Sequence, residues 1–377
     1  MLSFHSISPA KVLRGDKAWE KGKNLIPLIS HRPILIGRSK ATSKIREQIK
    51  IGLSRLGLKV ISAELNHDCC EVDINRIQKL LINTNCDAVI AAGGGKVLDA
   101  GKLLANRLSL PCITIPTSAA TCAGWTALSN IYSPDGAFIR DETLEACPSL
   151  LIFDHGFVRQ APPRTLASGI GDALAKWYEA SATNTSSKDG LVQQALQMAR
   201  VLRDQLFIDG LEAFQNPNSE AWVRVAEGCA LTAGLIGGIG GSNCRTAAAH
   251  ALHNGLTQLE FSDKSLHGEI VSFGILVQLH LEETIGNNQL ASQARKQLIE
   301  FLQLLNLPTN LNDLRLDKII NQRLEEVCRF ACKDESDIHK LPFNVNTDML
   351  LEALKYSRKQ EGLIDFRESI RGAKHLD

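Results

Sequence analysis

Between Pro33 and Pro116, short β-branched runs alternate with helical ones, and this alternation constrains the fold more than any other feature. Pro33-Ile34-Leu35-Ile36-Gly37, Lys59 to Ala63, Asp87 to Ala92 and Pro111 to Pro116 are compact apolar segments of strand length. Between them, Ser43 to Leu56, Ile74 to Asn83 and Ala100 to Leu108 carry apolar residues at helical spacing. Strands separated by helices imply a mainly parallel sheet with helices on both faces. Ligands of such sheets bind at the carboxyl ends of the strands. The strand pattern stops near residue 160. From Pro162 to Ala373 helical spacing dominates, broken by turns such as Asn306 to Asn310. At 377 residues the chain has room for two sizeable cores. The expected division is an α/β domain over residues 1–160 and an all-helical domain over 161–377.

Composition removes several classes of partner. A net charge of +1, with no basic block or acidic tail, predicts neither nucleic-acid nor membrane binding. No apolar run approaches the roughly 18 residues that span a bilayer. The opening MLSFHSISPAKVLRG lacks the charged-then-apolar layout of an export signal. The ten cysteines show no framework spacing and no CxxC, so they read as reduced thiols and the expected compartment is the cytoplasm.

Three segments of the first half bear on cofactor binding. The strand ending at Ala92 runs into Gly93-Gly94-Gly95-Lys96-Val97-Leu98-Asp99 and then a helix. Glycines without Cβ atoms let a phosphate approach backbone N–H groups at a helix start, and Lys96 adds a cation. Asp99 then reads either as part of that site or as a favourable charge in the first helical turn. The spacing is not that of a Walker loop. After the strand at Leu35 come Arg38, Ser39 and Lys40. A basic group there accommodates the 2′-phosphate of NADP, where an acidic one would hold ribose hydroxyls; an ordinary solvated turn is the other reading. Thr114 to Thr126 is rich in small and hydroxyl residues, a loop able to fold over a cofactor.

The second half concentrates imidazoles. His250 and His253 are three residues apart in an Ala/Leu-rich helical segment, and His267 follows before Gly268. Clustered histidines in apolar surroundings need partners, either a metal ion or backbone carbonyls. Asp172, in Ser168-Gly169-Ile170-Gly171-Asp172, reads as a helix N-cap or as a metal ligand. One Asp with two His is a sound catalytic set that leaves a position open.

Five segments in order resemble the glycerol dehydrogenase branch of the iron-containing (group III) alcohol dehydrogenases, with their dehydroquinate synthase-like fold. They are GGGKVLDAGK (Gly93 to Lys102), TIPTSAATCAGWTALSNIY (Thr114 to Tyr132), SGIGDALAKWYEA (Ser168 to Ala180), AAAHALHNGL (Ala247 to Leu256) and HGEIVSFG (His267 to Gly274). The resemblance implies one divalent metal, zinc or iron, on Asp172, His250 and His267. It places His253 near the reacting centre, where it would relay a proton. It puts Gly94, Gly95 and Lys96 at the pyrophosphate, and Thr117, Thr126, Leu128 and Tyr132 along the nicotinamide cofactor. It implies a dinucleotide-binding N-terminal domain, a helical metal-binding and substrate domain, a cleft between them, and a homo-oligomer. The implied activity is a metal-dependent NAD(P)-linked dehydrogenase of small alcohols, or carbonyl reductase in reverse.

Two departures from the family pattern lie at the substrate. Glycerol dehydrogenases carry an Asp where this chain has Cys122, and a Phe-Glu-Ser-Gly-Gly stretch where Gly237 to Arg245 reads GGIGGSNCR. Losing a carboxylate that bonds buried hydroxyls alters selectivity strongly, which points away from glycerol itself. Family members that use NAD carry an acidic residue at the position of Arg38, so NADP is the expected cofactor, with NAD as the alternative. Three rival activities remain: a dehydrogenase of a phosphorylated polyol such as glycerol 1-phosphate, with Arg245 the nearest cation; a dehydroquinate synthase-like lyase, which needs a Lys/Arg cluster not visible beside the metal residues; and a non-catalytic nucleotide-binding protein.

Overall fold

The computed structural model describes residues 5–259, 265–316 and 318–359. The strands are β1 (Val12–Gly15), β2 (Pro33–Gly37), β3 (Ile61–Glu64), β4 (Ala88–Gly93), β5 (Cys112–Pro116), β6 (Leu128–Tyr132), β7 (Phe138–Thr143) and β8 (Leu150–Asp154). Helices of the first half are α1 (Ala18–Gly22), α2 (Ser43–Arg55), α3 (Glu71–Leu81) and α4 (Gly95–Arg107). Then follow α5 (His155–Val158), α6 (Pro163–Thr183), α7 (Gly190–Gln215), α8 (Glu220–Glu227), α9 (Ala233–Gly240) and α10 (Ala248–Leu256). The series ends with α11 (His267–Thr284), α12 (Gln289–Leu304), α13 (Asn321–Ala331) and α14 (Thr347–Lys359). The expected helical run beyond Lys359 lies outside the described residues.

Six strands form a wholly parallel sheet in the order β1-β8-β5-β4-β2-β3. Every residue of β2, β4, β5 and β8 is buried, as expected of parallel strands covered on both faces. From β2 the chain moves outward to β3, whereas from β4 it moves the other way to β5. A crevice therefore opens at the carboxyl ends of β2 and β4, where Arg38 and Gly94 begin. The strand expected at residues 59–63 starts two residues later, at Ile61.

The sequence pattern did not reveal β1, β8 or the antiparallel hairpin of β6 and β7. β7 reads FIRDET and is half-exposed, so it lacks the apolar run that marks a buried strand. Beyond β8 the described residues are helical. The stretch Glu220–Cys244 has the length and hydropathy to cross a membrane. Most of it is buried within the protein, in the same core as α6 and α7. That core also takes in Leu151 and Phe153 of β8 and Trp125, so the helices pack directly on the sheet layer.

Helices α6 and α11 approach at backbone distance. A Cβ on Gly268 would lie 1.7 Å from the carbonyl oxygen of Ser168, and one on Gly171 would lie 2.5 Å from that of Gly268. The Ser168 hydroxyl also accepts a hydrogen bond from the Gly268 amide at 3.0 Å. This contact sets the first residue of α11, His267, beside Asp172 on α6. Gly268→Ala is expected to destabilise the protein by about 1–3 kcal/mol through overpacking. A urea unfolding curve checks it, and an unchanged midpoint would mean that the two helices can separate freely.

Candidate metal and cofactor cleft

Asp172 does not cap a helix. It lies in the third turn of α6, 4 % exposed, and faces the two imidazoles. Its Oδ1 is 3.4 Å from His250 Nε2 and 3.5 Å from His267 Nε2. Ligands at about 2.1 Å from a tetrahedral metal stand about 3.4 Å apart. A carboxylate with two imidazoles at that spacing fits a zinc or iron ion in both donor type and geometry.

The residues behind the trio fix its orientation. Glu179 is seven residues after Asp172 on the same face of α6. Its Oε2 accepts from His250 Nδ1 at 2.6 Å. Its Oε1 accepts from the backbone amides of Ala247 and His250 at 2.7 and 3.0 Å. Glu179 thus satisfies amides at the start of α10, where Ala247 offers no side-chain cap, and it turns His250 Nε2 toward Asp172. Burial would lower the His250 imidazole, but the charge of Glu179 and bonds to Asp172 and Glu179 raise it to about 9. Burial would raise Asp172, but the Lys176 charge and the two imidazoles hold it well below the usual carboxylate range. The carboxylates thus stabilise positive charge on the His250 imidazole, and a metal ion bound there would have to displace its proton.

His253 stands behind His267 and does not line the cleft. Its Nε2 is 2.9 Å from His267 Nδ1, and its Nδ1 is 2.9 Å from Asn254 Oδ1. A consistent network has His267 Nδ1–H donating to His253 and His253 Nδ1–H donating to Asn254. His267 Nε2 is then free to face Asp172. Burial first, then the neighbouring His267, holds His253 well below its ordinary value, so it is neutral. At 3 % exposure with both nitrogens engaged, the ring expected as a proton relay is placed to orient His267.

A cleft of about 440 Å³ runs from Arg38 past the glycine loop to the metal residues. Its walls include Arg38, Ser39, Gly94, Gly95, Lys96, Asp99, Cys122, Thr126, Leu128, Tyr132, Asp172, His250 and His267. α4 makes its first backbone bonds from Val97 and Leu98 to Gly94, so the amides of Gly95 and Lys96 precede them, as a phosphate site requires. Asp99 is in the second turn of α4, not the first. It pairs with buried Lys102 at 3.0 Å, and Lys102 also donates to the carbonyls of Thr126 and Leu128. That link ties the loop helix to β6. Burial outweighs the Lys102 charge and raises the Asp99 carboxyl.

Two expected cofactor residues are elsewhere. Thr117 is buried, its amide bonded to the Gly93 carbonyl at 3.0 Å; Ser118, Ala120 and Thr121 take its place on the wall. Lys40 is exposed on a 3₁₀ turn outside the cleft, and Ser39 caps that turn by accepting from the Ala41 amide. Arg38 reaches the cleft but is paired with Asp68, which also pairs with Lys96. Lys96 lies 4.9 Å over the Tyr132 ring. Asp68 was missed in the sequence because nothing in the run Asn66 to Cys70 marks it. Glu179 and Lys176 were legible from their helical spacing to Asp172. Arg245 was near the histidines in sequence, but its meeting with Lys176 was not legible: the Lys176 ammonium reaches the Arg245 carbonyl across 69 positions, at 3.3 Å. Cations therefore do stand beside the metal residues, contrary to the sequence expectation.

The model of the iron-containing alcohol dehydrogenase family matches residues 9–155. An uncharacterized oxidoreductase of Synechocystis sp. is 45% identical over 93% of this chain and 90% of its own length. A glycerol dehydrogenase of Pseudomonas putida is 32% identical over 92% of this chain and 95% of its own. The crystal structure of glycerol dehydrogenase from Schizosaccharomyces pombe matches with a TM-score of 0.84 at 26% identity, covering 100% of this chain and 94% of that one. Glu179→Gln is expected to weaken metal affinity about 10–100-fold by loosening His250. Competition with a chelator measures this, and an unaltered affinity would remove Glu179 from the metal site.

Proposed function

The chain belongs to the iron-containing alcohol dehydrogenase family as a glycerol dehydrogenase-like member, and on that premise we propose roles for its own residues and a choice of cofactor. The enzyme is a metal-dependent NAD(P)-linked alcohol or polyol dehydrogenase, an oxidoreductase acting on small-molecule alcohols. Asp172, His250 and His267 hold the divalent metal, zinc or iron. Their mutual spacing of 3.4 and 3.5 Å on the wall of the nucleotide cleft is the observation that carries this reading.

When bound, the metal supplies a Lewis acid that lowers the pKa of the substrate alcohol, and the nicotinamide supplies the hydride chemistry. The protein supplies position. Glu179 and His253 fix the imidazoles of His250 and His267. Gly94, Gly95 and Lys96 bind the pyrophosphate, while Thr126, Leu128 and Tyr132 line the nicotinamide side. Cys122 replaces a polyol-binding carboxylate, so the substrate is not glycerol itself.

NADP is the proposed cofactor. Arg38 supports it, because a guanidinium beside the end of β2 suits a 2′-phosphate; its partner Asp68 has to yield part of that contact. We also propose residues 1–160 and 161–377 as the nucleotide and metal domains, and a homo-oligomer, supported by Val201 and Ile208 exposed at 67% and 79% on one face of α7. Ten unpaired cysteines support a reducing, cytoplasmic location.

The test is oxidation of NADPH and NADH by metal-reconstituted protein across dihydroxyacetone, its phosphate, glyoxal-type aldehydes and simple aldehydes. Turnover is expected to require the metal, and Asp172→Ala is expected to lose both retained metal and activity; an active, metal-free variant would refute the ligand set. Arg38→Asp is expected to shift preference from NADPH toward NADH by at least about tenfold, the scale of one lost charge-assisted contact. An unchanged ratio would refute the role of Arg38.

A further inference from the structure

Resting on the cofactor reading above, we propose that Asp68 is a specificity-determining residue, a fixed carboxylate that competes with the 2′-phosphate of NADP for Arg38 and so sets how strongly the enzyme discriminates NADP from NAD. Asp68 lines the cleft together with Arg38 and Lys96. Its Oδ1 pairs with the Arg38 guanidinium and its Oδ2 with the Lys96 ammonium. These are the two cations assigned above to cofactor phosphates, Arg38 to the 2′-phosphate and Lys96 to the pyrophosphate. Among the described residues neither has another carboxylate within ion-pair distance. An internal anion thus stands between them, where the cofactor would bring its own.

The loop that carries Asp68 is tied down on both sides. Before it, the amides of Asn66 and His67 both donate to Asp73 Oδ2, at 2.8 and 2.7 Å. Asp73 is buried and is gripped through its other oxygen by Arg76, which also reaches the Glu64 carbonyl at the end of β3, at 2.6 Å. After it, the Cys69 carbonyl accepts from the Tyr132 amide at 2.8 Å, where β6 ends. Cys69 and Cys70 are both buried. The Asp68 side chain is 12% exposed, whereas those of Arg38 and Lys96 are 41% and 46% exposed. The carboxylate is therefore the anchored member of the trio. An arriving phosphate can draw the two long cationic side chains toward itself, but the carboxylate stays beside them.

Discrimination is a difference of two affinities, set by repulsion as much as by attraction. A phosphate monoester carries a charge of roughly −1.5 to −2 near neutral pH. A 2′-phosphate on Arg38 would lose twice from Asp68: the guanidinium has to be shared with the carboxylate, and the carboxylate repels the phosphate. The ribose hydroxyl of NAD is neutral and meets neither cost. Lys96 serves the pyrophosphate, which both cofactors share, so its pairing with Asp68 weakens both and cancels in their ratio. Asp68 therefore holds the preference for NADP below what Arg38 alone would give.

The experiment compares Asp68→Asn with the wild type, both metal-loaded. Steady-state kinetics give kcat/KM for NADPH and NADH. Calorimetry gives Kd for 2′-phospho-ADP-ribose and ADP-ribose, which lack the nicotinamide and read binding without turnover. Asp68→Asn is expected to raise the NADPH to NADH ratio at least about fivefold, the scale of one partly exposed ion pair. The gain should fall in KM for NADPH and in Kd for 2′-phospho-ADP-ribose, with kcat little changed. Asp68→Glu keeps the charge and should shift the ratio far less; an equal shift would overturn a competition of charges. Thermal midpoints confirm that each variant is folded. A ratio that rises only because NADH binds more weakly would also overturn the proposal, since Asp68 would then be an acceptor for ribose hydroxyls. Arg38→Asp separates this proposal from the reading beneath it. If Arg38→Asp moves the ratio and Asp68→Asn does not, the role of Asp68 alone falls; if neither moves it, the 2′-phosphate site falls and takes the role of Asp68 with it.

Discussion

Two carboxylates on one face of α6 organise the site. Asp172 and Glu179 are two turns apart, both nearly sealed from solvent, and both address His250 from opposite ring nitrogens. Buried carboxylates demand positive charge or donors. Glu179 takes an imidazole N–H and two backbone amides; Asp172 is left facing two imidazole nitrogens whose other sides are engaged. The rest of the helical half serves this arrangement. Gly171 and Gly268 let α6 and α11 meet at their backbones, and α10 is anchored to α6 through Glu179. The proposed metal ion would complete a charge pattern that the folded chain already imposes.

Within the N-terminal half a buried ion pair joins α4 to the hairpin. Asp99 and Lys102, on α4, are drawn together at 3.0 Å, and Lys102 grips the backbone of Thr126 and Leu128. The helix proposed to present amides to a pyrophosphate is thereby coupled to the strand proposed to line the nicotinamide. A shift of one would carry the other with it.

Charge along the cleft changes character from end to end. At the nucleotide end Asp68 balances Arg38 and Lys96. At the other end the Lys176 charge is set against Asp172 and Glu179, while no described carboxylate lies within ion-pair distance of Arg245.

Local pattern alone determined the parallel sheet, the glycine loop after β4 and the helical second half; the ligand trio came with the family resemblance, because pattern left Asp172 open as an N-cap and the histidines open as core residues. Burial on both faces forces apolar runs in β2, β4 and β5, and ligand residue types are few enough to recognise. Glu179 and Lys176 were within reach of the same reasoning, since helical periodicity puts them on the face of Asp172. Only the tertiary structure decided the pairings between distant segments. It joined Arg245 to Lys176 and Asp68 to Arg38, moved His253 behind His267, and took Thr117 and Lys40 off the cleft wall. The hairpin of β6 and β7 was hidden for a related reason: the largely exposed β7 carries no apolar run, and the pairing of the two strands is fixed by each other and by Lys102. Sequence spacing records which face of a helix or strand a residue occupies, while the partner across the cleft is set by how helices and sheet pack.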